Sequence, residues 1–168
     1  FGKVVKRVDA LGYETLTHYD YGFINDRGQR VLQTTHVDPM GLTQVTTHTA
    51  LGHPCEMIHK DRFGKVLRHA IQKHAPKGHL LERQDIIKAE GTDDRTFIVE
   101  WIYDACNRPV VLIEGKGSPE ARQTYFGYNR YGQKESETFH DGVALRFDYD
   151  GMGRQKQLTA SDGSVNYR

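Results

Sequence analysis

Tyr149-Asp150-Gly151-Met152-Gly153-Arg154 is the clearest hairpin signal in the chain. It contains the pattern Asp/Asn-x-x-Gly, in which the first side chain accepts hydrogen bonds from backbone amides further along and begins a turn. Glycine at the fourth position supplies the positive φ that closes the turn. We therefore predict a tight β-hairpin here. We also expect Gly153 to need a positive φ, whereas Gly117 lies in a glycine-rich loop with more freedom.

The same pattern recurs throughout the chain. With 17 Asp and Asn residues and 17 Gly among 168, chance predicts roughly two matches, and more are found. The strongest copies carry a tyrosine before the turn, and their turns begin 25 and then 21 residues apart. These spacings predict successive hairpins. The matches begin at Asp9, Asn25, Asp38, Asp61, Asn129, Asp148 and Asp150, and Asp104 begins a further copy that ends in Asn107.

The segments between the turns are typical of strands. Residues 96–103, 109–114, 123–128 and 143–149 are rich in β-branched and aromatic residues, and alternation is clearest in the last of them. Residues 80–90, between Gly78 and Gly91, are either a helix or a pair of strands. The predicted fold is all-β, with antiparallel β-hairpin repeats that form a curved or spiralling sheet.

The repeat resembles the YD repeat of the RHS family. Tyr149-Asp150-Gly151-Met152-Gly153-Arg154 matches it best, and copies without the aromatic begin at Asp38, ending at Gly41, and at Asp61, ending at Gly64. The resemblance covers nearly the whole chain and is weakest over residues 70–95. Two further copies are Tyr103-Asp104-Ala105-Cys106-Asn107-Arg108 and Tyr128-Asn129-Arg130-Tyr131-Gly132-Gln133.

That resemblance implies a role as well as a fold. It implies that residues 1–168 are a YD-repeat segment of a β-shell, a fragment of a longer protein. The parent would be a bacterial Rhs polymorphic toxin or an insecticidal Tc toxin component of the B or C type, rather than a teneurin. The shell would enclose a toxin polypeptide and pair with other shell segments of the same or a partner protein. The implied location is secreted or cell-surface associated.

YD repeats have also been linked with carbohydrate binding, which supplies an alternative function. The chain would then be a repeat module at a cell surface. Aromatic side chains exposed on one strand face would bind glycans, and Trp101, Tyr125 and Tyr128 are the candidates. Burial in a core is the competing interpretation for these rings.

Charge and hydropathy argue against two classes of partner. Lys and Arg number 23 and Asp and Glu 22, so the net charge of +1 lacks the basic excess of a nucleic-acid binder. Residues 60–79 are locally basic, but a solvated sheet face explains them. Their histidines, together with His59, would gain charge near pH 6. No apolar run approaches the ~18 residues of a membrane helix, so we expect no membrane span.

Sites for chemistry are sparse. His53, Cys55 and His59, with His48 upstream, form the best metal-like cluster, because thiolate and imidazole suit zinc. Strand alternation alone gives the same spacing, so we expect ordinary strand histidines and no metal or other cofactor. No nucleophile–base set is evident, and we expect no enzyme activity.

One further segment resembles a known signature. Residues 38–42 resemble the self-cleavage signature Asp-Pro-x-Gly-Leu of Rhs shells, but further repeats follow them. We therefore interpret these residues as another copy of the turn.

Overall fold

The computed structural model of the chain describes residues 2–88 and 93–167. Within those residues the chain forms β-strands joined by short turns, and no helix. Every strand pairing given by the described residues is antiparallel, which confirms the predicted all-β hairpin fold. The chain divides into two compact units, Phe1–Phe97 and Ile98–Arg168.

The first unit is a meander in which each strand pairs with the next one along the chain. Antiparallel neighbours need only tight turns between them, and the sequence supplies such turns at short intervals. Its strands are β1 Gly2–Val8, β2 Glu14–Ile24, β3 Arg30–Val37, β4 Thr43–His48, β5 Pro54–Lys60, β6 Val66–His74 and β7 Leu80–Ile87.

The second unit repeats this plan. It begins within β8, and each strand again pairs with its successor. The four strands predicted between residues 96 and 149 are confirmed to within one residue at each end. The strands are β8 Arg95–Tyr103, β9 Pro109–Glu114, β10 Arg122–Tyr128, β11 Lys134–Thr138, β12 Ala144–Tyr149, β13 Gln155–Ala160 and β14 Asn166–Tyr167.

The repeat turn has one backbone geometry, seen clearly at Asp150. The Gly153 N–H donates to the Asp150 carbonyl at 3.0 Å, and the Asp150 N–H donates to the Arg154 carbonyl at 2.9 Å. Asp150 Oδ1 also accepts from the Met152 and Arg154 amides at 2.9 Å each. This is a type I turn closed by a left-handed residue that forms a bulge. The same side-chain bonds recur at Asp9, Asn25, Asp38, Asp61, Asp104 and Asn129.

Asn107 and Asp38 each belong to a turn with this geometry. Asn107 has φ +61° where the other strong copies have glycine. Asn tolerates this region better than most residues, which explains the substitution. Asp38 begins an ordinary repeat turn with Gly41 at φ +82°.

Two expectations about glycines are wrong. Asp148–Gly151 is not a turn, because Asp148 pairs with Gln157 inside the β12–β13 ladder and Gly151 does not adopt a positive φ. The real turn begins two residues later. The backbone of Gly117 is as restricted as that of Gly153, since both are left-handed, with φ values of +85° and +81°.

Within residues 2–88 and 93–167, three turns share this backbone although they lack Asp or Asn at the first position. They begin at Thr49, Ala75 and Phe139, and each has a left-handed glycine three residues later. Thr49 partly replaces the carboxylate, because its Oγ1 accepts from the His53 amide at 3.1 Å. All of these turns therefore have a left-handed residue at the fourth position. Where the first residue is Asp or Asn, its side chain makes additional hydrogen bonds to backbone amides of the turn.

Residues 80–87 form the single strand β7, so the expectation of a helix or a strand pair is wrong. Leu, Glu, Arg and Gln favour helices, but pairing with β6 overrides that propensity. Arg68 Nη2 lies 2.6 Å from Asp85 Oδ1, and Lys73 pairs with Glu82 across the same two strands. Residues 89 and 90 of the predicted segment lie outside the described residues.

The strands bury few side chains. Among the described residues, the hydrophobic ones that are buried are Val31 and Ala70. The buried polar residues are Thr46, Thr47 and Thr124. Most described strand residues are half-buried or exposed, so no part of either unit has a large buried core.

The turn geometry predicts unequal effects at two neighbouring glycines. Gly153→Ala should lower the free energy of unfolding by about 1–2 kcal/mol, because alanine is strained at positive φ. A Cβ there would also lie 3.1 Å from Gln133 Nε2. Urea denaturation of the purified chain measures the loss.

Gly151→Ala is the matched control. A Cβ at Gly151 meets no heavy atom within 4 Å, and its backbone φ is not in the left-handed region. We expect a change within about 0.5 kcal/mol, as for ordinary surface substitutions. Equal losses for the two variants would contradict the assignment of the bulge to Gly153.

Candidate functional site

The three strong repeat copies lie side by side at one end of the strands of the second unit. In an antiparallel meander alternate turns fall at the same edge, and these turns span residues 104–108, 129–133 and 150–154. Two strands and one opposite turn separate successive copies, which explains the spacings of 25 and 21 residues. We call these three turns the repeat edge.

The tyrosines tie each copy to the one before it. Tyr128 Oη donates to the Pro109 carbonyl at 2.8 Å, and Tyr149 Oη donates to the Lys134 carbonyl at 2.8 Å. Each acceptor is the first residue after the preceding turn of the repeat edge. Pro109 itself pairs with Tyr103, and Lys134 pairs with Tyr128. The result is a continuous ladder of alternating strand pairs and tyrosine hydrogen bonds.

The last residue of each of the first two turns contacts the copy that follows it. The Arg108 guanidinium lies 4.6 Å from the centroid of the Tyr128 ring. Gln133 Nε2 donates to the Gly153 carbonyl at 3.2 Å. These contacts and the tyrosine bonds connect neighbouring copies through side chains as well as through the sheet.

Hydrogen bonds and charge keep the carboxylates of Asp104 and Asp150 ionised. The Arg108 amide and guanidinium donate to Asp104 and hold the pKa of that carboxyl below its usual value. The Arg154 amide and guanidinium lower the pKa of Asp150 in the same way. Burial raises the pKa of the Tyr103 and Tyr128 hydroxyls, so both remain protonated.

The candidate metal residues do not converge. His53 lies in the β4–β5 turn with its ring stacked on His74. Cys55 Sγ donates to the Thr47 carbonyl at 3.3 Å, and burial raises the pKa of this thiol. His59 lies further along β5, opposite Arg68. Within residues 2–88 and 93–167, no three His, Cys, Asp or Glu side chains are arranged to hold a metal ion.

The first unit contains a groove that the sequence patterns did not predict. It has a volume of about 710 Å³ and lies where the turns 25–29, 49–53 and 75–79 meet at one end of the strands. Phe23, Leu51, Ile71 and Pro76 supply apolar walls, and His53 and His74 line it together. Residues from three turns more than 20 positions apart build it, so no local motif could reveal it.

The basic segment 60–79 does not form a single positive face. Arg68 is paired with Asp85, and Lys73 with Glu82. Arg68 and Lys73 also point to opposite faces of β6, because strand side chains alternate.

The aromatic residues proposed for glycan binding do not share a face. Trp101 pairs with Leu112, which pairs with Thr124, whereas Tyr125 pairs with Val111 and so with Ile102. Directly paired residues lie on the same face and adjacent residues on opposite faces. Trp101 and Tyr125 therefore lie on opposite faces, and the Tyr128 ring is occupied by Arg108.

Removing the tyrosine hydroxyls should weaken the second unit. Tyr128→Phe and Tyr149→Phe should each lower the free energy of unfolding by about 1 kcal/mol, since each leaves a carbonyl without its donor. Tyr125→Phe is the matched control, because Tyr125 Oη bonds only its neighbour Gln123 on an exposed face. Thermal and urea denaturation would show the difference. If all three variants lose the same free energy of unfolding, the tyrosine hydrogen bonds do not stabilise the unit as described.

The repeat carboxylates predict acid sensitivity. Because the folded pKa of Asp150 is lowered, its contribution is present above the ordinary pKa of about 4 and is lost as the pH falls through the folded value. Asp150→Asn should flatten the fall in urea midpoint between about pH 5 and pH 2. Asn keeps the turn bonds, as Asn129 does with the Tyr131 and Gln133 amides.

Asp148→Asn is the control for this measurement. Asp148 lies in β12 and makes none of the turn bonds of Asp150. Its substitution should leave the acid-induced loss as large as in the unsubstituted chain. If Asp150→Asn behaves like Asp148→Asn, the acid sensitivity comes from elsewhere.

Comparison with known proteins adds little to this geometry. No protein-family model and no curated protein matches the chain. Among solved structures, it is similar to the crystal structure of TcdB2-TccC3-TEV, with 12% identity and a TM-score of 0.30 over 90% of this chain and 10% of that chain. For TcdB2-TccC3-Cdc42 the values are 13%, 0.32, 92% and 11%. The chain thus spans about a tenth of the chains it matches. Among the described residues, no helix is long and apolar enough to cross a membrane.

Proposed function

We propose that this chain is a structural segment of a YD-repeat shell in a secreted or surface-associated bacterial toxin-related protein, and that the shell encloses a polypeptide. The tyrosine ladder of the repeat edge carries this proposal. Tyr128 and Tyr149 each bond the copy before them, so each added copy supplies the acceptor for the next. Such a ladder suits a wall that is extended by repetition.

The distribution of apolar side chains supports the same role. Few are buried within the described parts of either unit, and several large ones stand at the tips of turns. Phe63 is 80% exposed and Met152 is 82% exposed, each at the third position of its repeat turn. Apolar tips are suited to contact with neighbouring shell segments. The others at this position are Leu11, Met40, Leu51 and Tyr131.

The repeat residues have structural uses that leave little for catalysis. Asp104 and Asp150 accept from backbone amides and from arginine, and the Tyr128 and Tyr149 hydroxyls donate to carbonyls. A nucleophile or general base needs a group free to react with a substrate. We therefore propose that the chain acts by enclosing and performs no reaction.

Limited proteolysis of the full-length protein that carries this chain tests the proposal. A protease should cut exposed loops quickly and leave one internal polypeptide intact, which mass spectrometry identifies. The double variant Asp104→Ala/Asp150→Ala removes the carboxylates of two turns of the repeat edge. We expect it to speed digestion of the internal polypeptide several-fold, because each substitution removes a carboxylate that accepts from two backbone amides of its turn.

Asp148→Ala in the same protein is the control, since Asp148 lies on a strand between the affected turns. It should protect the internal polypeptide as well as the unsubstituted protein does. The proposal is wrong if no polypeptide other than the wall itself is protected. It is also wrong if the double variant melts at a lower temperature yet protects as well as the control.

A further inference from the structure

Two histidines join neighbouring hairpins in the first unit. The rings of His53 and His74 stack with centroids 5.3 Å apart and planes 22° from parallel. His53 belongs to the β4–β5 turn, and His74 is the last residue of β6. The contact therefore links the turn 49–53 to the turn 75–79. We call this pair the histidine latch.

Gly78 provides the space for the latch. A Cβ on Gly78 would lie 2.7 Å from Cε1 and 2.8 Å from Nε2 of His53, which is closer than such atoms approach. Gly78 also has φ +93°, so its turn presents bare backbone to the imidazole. The His53 ring is thus held between His74 and the backbone of the β6–β7 turn.

The latch has no provision for a positive charge. His74 Nδ1 is buried without a hydrogen-bond partner. A protonated imidazole carries a donor on both nitrogens, so one donor would be left unsatisfied. Burial, followed by repulsion from His53, lowers the pKa of His74.

The surrounding charges do not offset this cost. The β2–β3 turn contributes Asp26 and Arg27 to the groove, and β5 contributes Cys55 and Glu56. Glu56 already bonds His69 at 2.8 Å. On β6 and β7 the charged neighbours are Lys73 and Glu82, which pair with each other, and His79 closes the same turn. After burial, the neighbour that lowers the pKa of His74 is His53.

We propose that the histidine latch is a pH-sensitive contact that holds the turns 49–53 and 75–79 together when neutral and releases them when protonated. Release would widen the groove between these turns and expose its apolar walls at Phe23 and Ile71. The proposal concerns local opening of the first unit and does not depend on the shell function.

The direction of the effect follows from linkage. In the opened state a histidine regains its ordinary pKa of about 6.5, whereas in the closed state His74 takes up its proton only at lower pH. The contact is therefore fully favourable above about pH 6.5 and is lost as the pH falls from there through the closed-state pKa. The equilibrium constant for opening should rise by up to about tenfold for each unit by which the pH falls, for each proton taken up on opening.

Amide hydrogen exchange on the full-length protein, read by mass spectrometry at pH 7.5 and 5.5, measures this opening. After correction for intrinsic rates, protection should fall at the turn amides of Thr49, Gly52, Ala75 and Gly78, because their hydrogen bonds lie within the two turns and open more often once the latch no longer holds those turns. The turn 129–133 should not change and serves as an internal reference. His74→Phe keeps an aromatic ring without the charge and should abolish the fall.

His59→Gln is the matched control, because His59 lies on β5 but does not line the groove. It should retain the fall in protection. Unchanged protection in the unsubstituted protein, an equal fall at 129–133, or a fall that persists in His74→Phe would each overturn the proposal.

A second measurement needs no variant. Exchange of the imidazole C2 hydrogen, followed by mass spectrometry across pH, reports the pKa of each histidine in the unsubstituted protein. His74 should titrate below about 6.5. Titration of His74 at or above the ordinary value would overturn the proposal even if His74→Phe fails to fold.

Discussion

A single left-handed residue at the fourth position of each repeat turn governs this molecule. It closes a five-residue turn and introduces a bulge, so the residue before the turn pairs with the residue after it, as Tyr149 does with Gln155. A β-branched or bulky residue there would be strained by about 1–3 kcal/mol. Glycine or asparagine is therefore required, and the next strand begins in a defined register.

That register places the tyrosines of the second unit. Tyr128 stands before its turn and beside the strand that follows the previous turn, within 2.8 Å of the Pro109 carbonyl. A shift of one residue would move the ring to the other face of the sheet. The backbone bulge and the side-chain ladder therefore depend on each other. Arg108 adds to both, since it bonds Asp104 and also covers the Tyr128 ring.

The two units use the same turn for different side-chain arrangements. In the second unit the strong copies occupy one edge and are connected by hydroxyl–carbonyl bonds. In the first unit the turns at Thr49 and Ala75 lack the Asp or Asn side chain, and the stacked rings of His53 and His74 connect their edge instead. A ring contact between titratable groups can respond to pH, whereas a tyrosine bonded to a carbonyl stays unchanged over the same range.

The turns could be predicted from the sequence alone. Asp or Asn with glycine three residues later specifies a turn within five residues. This is why most turn positions and four strands of the second unit could be predicted. Residues 80–87 could not, because their composition favours a helix and only pairing with β6 makes them a strand. The acceptors of Tyr128 and Tyr149, the opposite faces of Trp101 and Tyr125, and the contact of His53 with His74 also required the assembled sheet. Each joins residues from different hairpins, and such contacts depend on register between strands rather than on any local preference.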